Sequence, residues 1–156
     1  MAIAVTTETV QPRRLAAVRR KVTIGQVGSA WKPALDKVWA FLREHPGVRT
    51  DGHNIFLYHH PARRTDAMEV DFGVEVARDF EPAGEVARAV TPAGEVAKAV
   101  HVGSYDRMAE THDAVHAWAR QQGRSFAGQS WEIYGDPPPD PAKMEITIMY
   151  LLEPAT

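Results

Sequence analysis

The sequence contains no cysteine, which excludes disulfides and thiolate chemistry and fits a reducing compartment. It has no apolar run near the length that spans a bilayer. Its start, Met1-Ala2-Ile3-Ala4-Val5-Thr6-Thr7-Glu8, has no basic region ahead of an apolar core and does not read as a signal peptide. Neither sign of charge dominates: 18 Lys and Arg stand against 20 Asp and Glu, a formal net charge of −2. No global field therefore draws nucleic acid or an anionic membrane. Phosphate loops, nucleophile elbows and dinucleotide fingerprints are also missing. What remains is a globular composition, 44% hydrophobic and 24% charged. At 156 residues the chain suffices for one domain, 1–156, and is too short for two ordinary ones. A cytoplasmic, single-domain protein is expected.

The stretch that organises the rest is Gln129-Ser130-Trp131-Glu132-Ile133-Tyr134, closed by Gly135-Asp136 and Pro137-Pro138-Pro139. It reads as a strand and its turn. Alternation sets Glu132 and Tyr134 on one face, with Trp131 and Ile133 on the other. Before it, a polar leader precedes a first strand over Arg13–Val22, whose basic residues suit a solvated edge. Gly28-Ser29 opens a helix to about His45, with Trp31, Leu35, Val38, Trp39 and Leu42 at helical spacing. Strands follow over His53–Tyr58 and, with regular alternation, Ala67–Ala77. A short tandem, Pro82–Val90 against Pro92–Val100, supplies one regular strand from its second copy through Val102, the first copy being a strand or a loop arm. Gly103-Ser104 opens a second helix to about Gln122, with Tyr105, Met108, His112, Val115, Trp118 and Ala119 on its apolar face. The last strand runs from Lys143 to Leu152.

The order strand, helix, strand, strand thus occurs twice, in pseudo-repeats of about 13–77 and 92–152. A shift of 76 residues lays Pro46–Val76 on Gln122–Leu152 without a gap, matching Gly47 to Gly123, Tyr58 to Tyr134, Pro61 to Pro137 and Glu69 to Glu145. The architecture expected is α+β: duplicated β-α-β-β units about a pseudo-twofold axis, a tandem SHS2-like arrangement with both helices packed on antiparallel sheet. Met68, Val70, Phe72, Val74, Met144, Ile146 and Ile148, joined by Ile55, Leu57, Trp131 and Ile133, are expected to line the face beneath the helices. Phe56, Tyr58, Glu69, Asp71, Glu132, Tyr134, Glu145, Thr147 and Met149 are expected on the other, where the halves would form a cleft of rings and acids. The shift matches Glu132 to Phe56, so a single carboxylate stands near the centre.

Pro92-Ala93-Gly94, Val100-His101-Val102-Gly103-Ser104-Tyr105, Trp118, Trp131-Glu132-Ile133-Tyr134 with its prolines, and Met144-Glu145-Ile146 resemble the GyrI-like small-molecule-binding family, also called the bacterial transcription-activator effector-binding domain. The likeness covers about Arg14 to the end. It implies a ligand cleft between the halves, with Glu132 as the acidic residue that meets lipophilic cations in drug-binding members. A cation leaving water needs a countercharge, and ring faces add roughly 0.5–2 kcal/mol per cation–π contact. Glu132, Tyr134, Phe56, Tyr58, Glu145, Tyr105 and Trp39 are the expected ligand-binding residues. Only about a dozen residues precede the first expected strand, whereas many members carry a DNA-binding segment there. Direct nucleic-acid contact is therefore not expected, and regulation would run through a partner or by sequestration. Two other readings stay open. One is a hydrolase of reactive cyclopropane-containing molecules using Glu132 and Tyr134, since part of the family is enzymatic; the other is an inhibitory protein-interaction module. A protein partner or a homodimer fits any of the three. His112-Asp113-Ala114-Val115-His116 resembles a zinc motif with aspartate in place of glutamate and no third ligand, so no metal and no cofactor are expected. His59-His60 reads as an exposed turn pair.

Overall fold

Strand and helix follow the two periodicities of the sequence. The computed structural model describes residues 3–23, 27–49, 52–61, 67–136 and 138–154. In chain order they form β1 (Thr6–Val10), β2 (Arg14–Thr23), α1 (Val27–Glu44), β3 (Asn54–His59), β4 (Ala67–Glu75), β5 (Ala87–Val90), β6 (Gly94–Val102), α2 (Met108–Gln122), β7 (Phe126–Tyr134) and β8 (Glu145–Leu152). Single 3₁₀ turns at Tyr105–Arg107 and Pro141–Lys143 lead into α2 and β8. The polar leader, for which no strand was expected, forms β1: its Thr and Glu side chains tolerate the water that an edge position offers. The first tandem copy gives only the short β5, because the chain turns back between Ala83 and Val86. α2 ends where the sequence places Gly123, which takes the left-handed conformation at φ 65°. Of the prolines after β7, Pro137 lies outside the described residues.

All eight strands join one antiparallel sheet, ordered β1-β6-β8-β7-β3-β4-β2-β5. Inside its two edges the order is mirrored, β6-β8-β7 against β3-β4-β2, and the mirror falls between β7 and β3. There Phe56 lies directly opposite Glu132, the two positions that the 76-residue shift equates. Both helices cover the same face. α1 buries Ala34, Leu35, Val38, Phe41 and Leu42 against Val18, Val70, Phe72 and Val74. α2 sets Val115 on Ala97, Ala99, Ile146 and Ile148. Each such Leu, Val or Ile contributes about 1.5–3 kcal/mol on burial.

The centre of the opposite face is not open to water, and the connections explain why. Three residues join β5 to β6, strands six positions apart in the sheet order. Laid flat they would stand roughly 29 Å from each other, whereas Val90 to Gly94 reaches at most about 14 Å. The sheet therefore curls until its ends meet. Leu15 and Ala17 of β2 pack with Val10 of β1, Val96 of β6, and Ile55, Leu57, Trp131 and Met149 at the centre.

This register corrects the expected division of faces. Phe72 pairs with Phe56, Phe56 with Glu132, and Glu132 with Ile148. Cross-strand partners share a face, so Phe56, Tyr58, Glu132 and Tyr134 stand with the apolar residues beneath the helices. Ile55, Leu57, Trp131 and Ile133 share the inner, curled face with Asp71, Glu145, Thr147 and Met149. Alternation within a strand fixes which residues go together; only pairing between strands fixes which sets meet, and a one-residue offset inverts that assignment.

Candidate functional site

The site sits where the two halves meet, on the helix-covered face of β3 and β7. Glu132 is 5% exposed, although an isolated carboxylate in such a place would cost several kcal/mol. Three side chains replace its water. The Tyr58 hydroxyl donates to Oε1 at 2.6 Å and the Tyr134 hydroxyl to the same atom at 2.7 Å. His112, reaching in from α2, places Nε2 2.8 Å from Oε2. Tyr58 and Tyr134 are 76 residues apart, so the mirror between β3 and β7 delivers one phenol from each half to a single oxygen.

Both phenols are held neutral. Burial raises the Tyr58 and Tyr134 hydroxyls well above the ordinary range, and the neighbouring Glu132 charge raises them further. They can solvate the carboxylate but cannot neutralise it. Among the described residues the only basic group in ion-pair range of Glu132 is His112. The second imidazole nitrogen, Nδ1, lies 2.7 Å from the Tyr150 hydroxyl. That hydroxyl is likewise raised by burial and by Glu132.

Rings surround this acidic centre. Phe56 contacts Tyr134 at 4.8 Å between centroids and Phe72 edge-on at 4.9 Å. Trp31 of α1 approaches Phe56 at 6.2 Å, and Tyr105 approaches Tyr134 at 6.1 Å. Trp31 is 37% and Tyr105 57% exposed, so the two outermost rings meet solvent above a buried floor. Tyr105 owes its place to the turn before α2. The Ser104 carbonyl lies 2.8 Å from His101 Nε2, which therefore donates to it, and Nδ1 lies 3.1 Å from Thr111 Oγ1. The stretch from Val100 to Tyr105 is thus a structural anchor carrying one rim residue.

The fold brings together Glu132, Tyr134, Tyr58, Phe56 and Tyr105. It does not bring Trp39 or Glu145 to that centre. The Trp39 indole donates to Asn54 Oδ1 at 3.0 Å and its ring lies under Arg49 at 4.7 Å. Glu145 opens β8 on the other face, exposed, with its carbonyl accepting from Gly135. His59 is no bare turn residue: it bonds buried Asp71 at 2.7 Å, beside the Arg19 guanidinium. Sequence reasoning missed His112 and Trp31, both assigned to core stripes. An imidazole within a stripe of Met, Val and Ala was the available signal, because a buried polar ring needs a partner.

The sequence matches the model of the GyrI-like small molecule binding domain over residues 4–151. A search of curated proteins gives no match. Among solved structures, the C-terminal domain of EcmrR superposes with a TM-score of 0.82 at 19% identity, covering 99% of this chain and 100% of that one. The chain spans 59% of EcmrR in its complex with DNA. SAV2435, solved bound to tetraphenylphosphonium, gives 0.73 at 11% identity, covering 96% of this chain and 94% of that one. A hydrolase from Listeria innocua gives 0.65 at 15% identity, covering 96% and 91%. At these identities the likeness is one of fold. The family match spans nearly the whole chain, and the chain belongs to the GyrI-like small molecule binding domain family.

Proposed function

We propose that this protein binds aromatic, lipophilic cations on the helix-covered face of β3 and β7, between the rings of Trp31 and Tyr105, with Glu132 as the countercharge. One observation carries the reading: a carboxylate 5% exposed, solvated by two neutral phenols, with no lysine or arginine in ion-pair range among the described residues. Such a group gains from a cation that brings little hydration of its own. Phe56, Tyr134, Tyr105 and Trp31 supply ring faces, each worth roughly 0.5–2 kcal/mol to a cation. Small-molecule binding is the family's character, and SAV2435 has been solved with a cation of this class. The hydrolase alternative would use the same carboxylate. Protein groups already occupy three of its roughly four acceptor sites, two on Oε1 and one on Oε2, so a water to be activated there has one site left, on Oε2 beside His112.

The test is a titration with tetraphenylphosphonium, followed by tryptophan fluorescence through Trp31 and repeated on Glu132→Gln. Saturable binding weakened about tenfold or more by the substitution supports the reading, that factor being about 1.4 kcal/mol. Equal binding by both proteins removes Glu132 from its role.

A further inference from the structure

His112 has a place that small-molecule binding alone does not explain. It bridges the Glu132 carboxylate and the Tyr150 hydroxyl, at 2.8 and 2.7 Å. A hydroxyl can donate or accept. The bridge therefore stands with a neutral imidazole, which donates to Glu132 and accepts from Tyr150. It stands equally with an imidazolium donating to both. The two states leave the site with different charge. With imidazolium present, Glu132 is compensated and a cation gains little beyond ring contacts. With neutral imidazole, the same carboxylate lacks a countercharge and a cation supplies it.

We propose that His112 sets the ligand preference of this cleft through its proton: a bound cation replaces the imidazolium charge, so that cation binding releases a proton while uncharged aromatic ligands bind without one. This rests on the cation-binding reading above. His112 bonds Glu132 on β7 and Tyr150 on β8 and lies near His60, just beyond β3, and His116 on α2; Tyr58 on β3 and Tyr134 on β7 bond the same carboxylate, and Asp113 on α2 acts on Tyr150 and His116. The three phenols are held neutral by burial and by Glu132, and they cannot supply the proton near neutrality. His60 and His116 are further imidazoles, and a variant at His112 separates them from it.

Tetraphenylphosphonium carries a permanent charge and no proton, so any pH dependence belongs to the protein. Imidazole is the side chain that ordinarily changes charge between pH 5 and 8, so exclusion by one proton makes the affinity rise with pH in that range, by at most about tenfold per pH unit. Calorimetry in two buffers of different ionisation enthalpy should find up to one proton released per cation bound in this range. Triphenylmethanol, an uncharged relative, should bind with neither effect. His112→Gln keeps a donor for Glu132 and should bind the cation with no proton release and a flat profile. The wild-type calorimetry needs no variant to refute the proposal: cation binding without proton release overturns it even if His112→Gln fails to fold. Proton release that persists in His112→Gln, or a flat wild-type profile with binding intact, overturns the proposal and leaves the cation site standing. Absence of cation binding at every pH overturns both.

Discussion

At the scale of the residue, one buried carboxylate explains most of the site. Tyr58, Tyr134 and Tyr150 all have phenols raised above the ordinary value, through burial first and the Glu132 charge second. In the unfolded chain they ionise near pH 10. A group whose proton is held more tightly in the folded state contributes stability that is complete below the unfolded value. That contribution is lost as pH rises from there towards the folded value. The protein should therefore unfold with alkali from about pH 10 upward. Tyrosinate absorbance from these three should appear together with the loss of far-ultraviolet dichroism; ionisation of all three while the dichroism is intact would contradict the account. Glu132 and Tyr134 were legible in the sequence because they alternate on a short, well-bounded strand. Tyr58 and Phe56 were legible because the 76-residue shift equates them with those two. His112 was not, since its role depends on how far α2 lies from β7. No spacing along the chain encodes that distance.

At the scale of the element, positions and types of strand and helix were readable, while the pairing between strands was not. Val70, Phe72 and Val74 alternate plainly, yet nothing within β4 states that Phe72 faces Phe56 and not Leu57. The start of β3 shows one physical source of register. A Cβ on Gly52 would fall 2.1 Å from the Glu75 carbonyl oxygen, and beside it the Glu75 N–H donates to the His53 carbonyl at 3.0 Å. Only glycine lets β3 enter this close to the end of β4. Gly52→Ala should cost about 1–3 kcal/mol by denaturant unfolding, the usual range for overpacking. Loss of stability with an unchanged denaturant slope would mark a local clash in an intact fold. A neutral substitution would mean that the pairing at Asn54 and beyond sets the register without help.

At the scale of the whole molecule, the mirrored strand order places Phe56 and Glu132 side by side on what would be a twofold axis, with Tyr58 and Tyr134 related across it. This makes an exchange of the central pair informative. Phe56→Glu alone sets two carboxylates opposite each other, and Glu132→Phe alone strands three donors. Made together, the changes move the carboxylate to the first half, where the same two tyrosines remain in reach. His112 does not follow it: counting 76 residues back reaches Asp36, exposed and paired with Lys32 in α1. The exchanged protein also loses the contacts of Phe56 with Phe72 and Trp31 and should be less stable than the original. It should nonetheless exceed the sum of the single changes by at least about 1 kcal/mol, the coupling expected of residues in direct contact. It should also bind tetraphenylphosphonium more tightly than Glu132→Phe does, without the pH dependence that His112 confers. Additive losses with no recovered binding would show that the second half alone determines where the charge can stand. Recovery without pH dependence would separate two inputs: the mirrored sheet sets the carboxylate between its tyrosines, and the unmatched helix residue sets its response to protons.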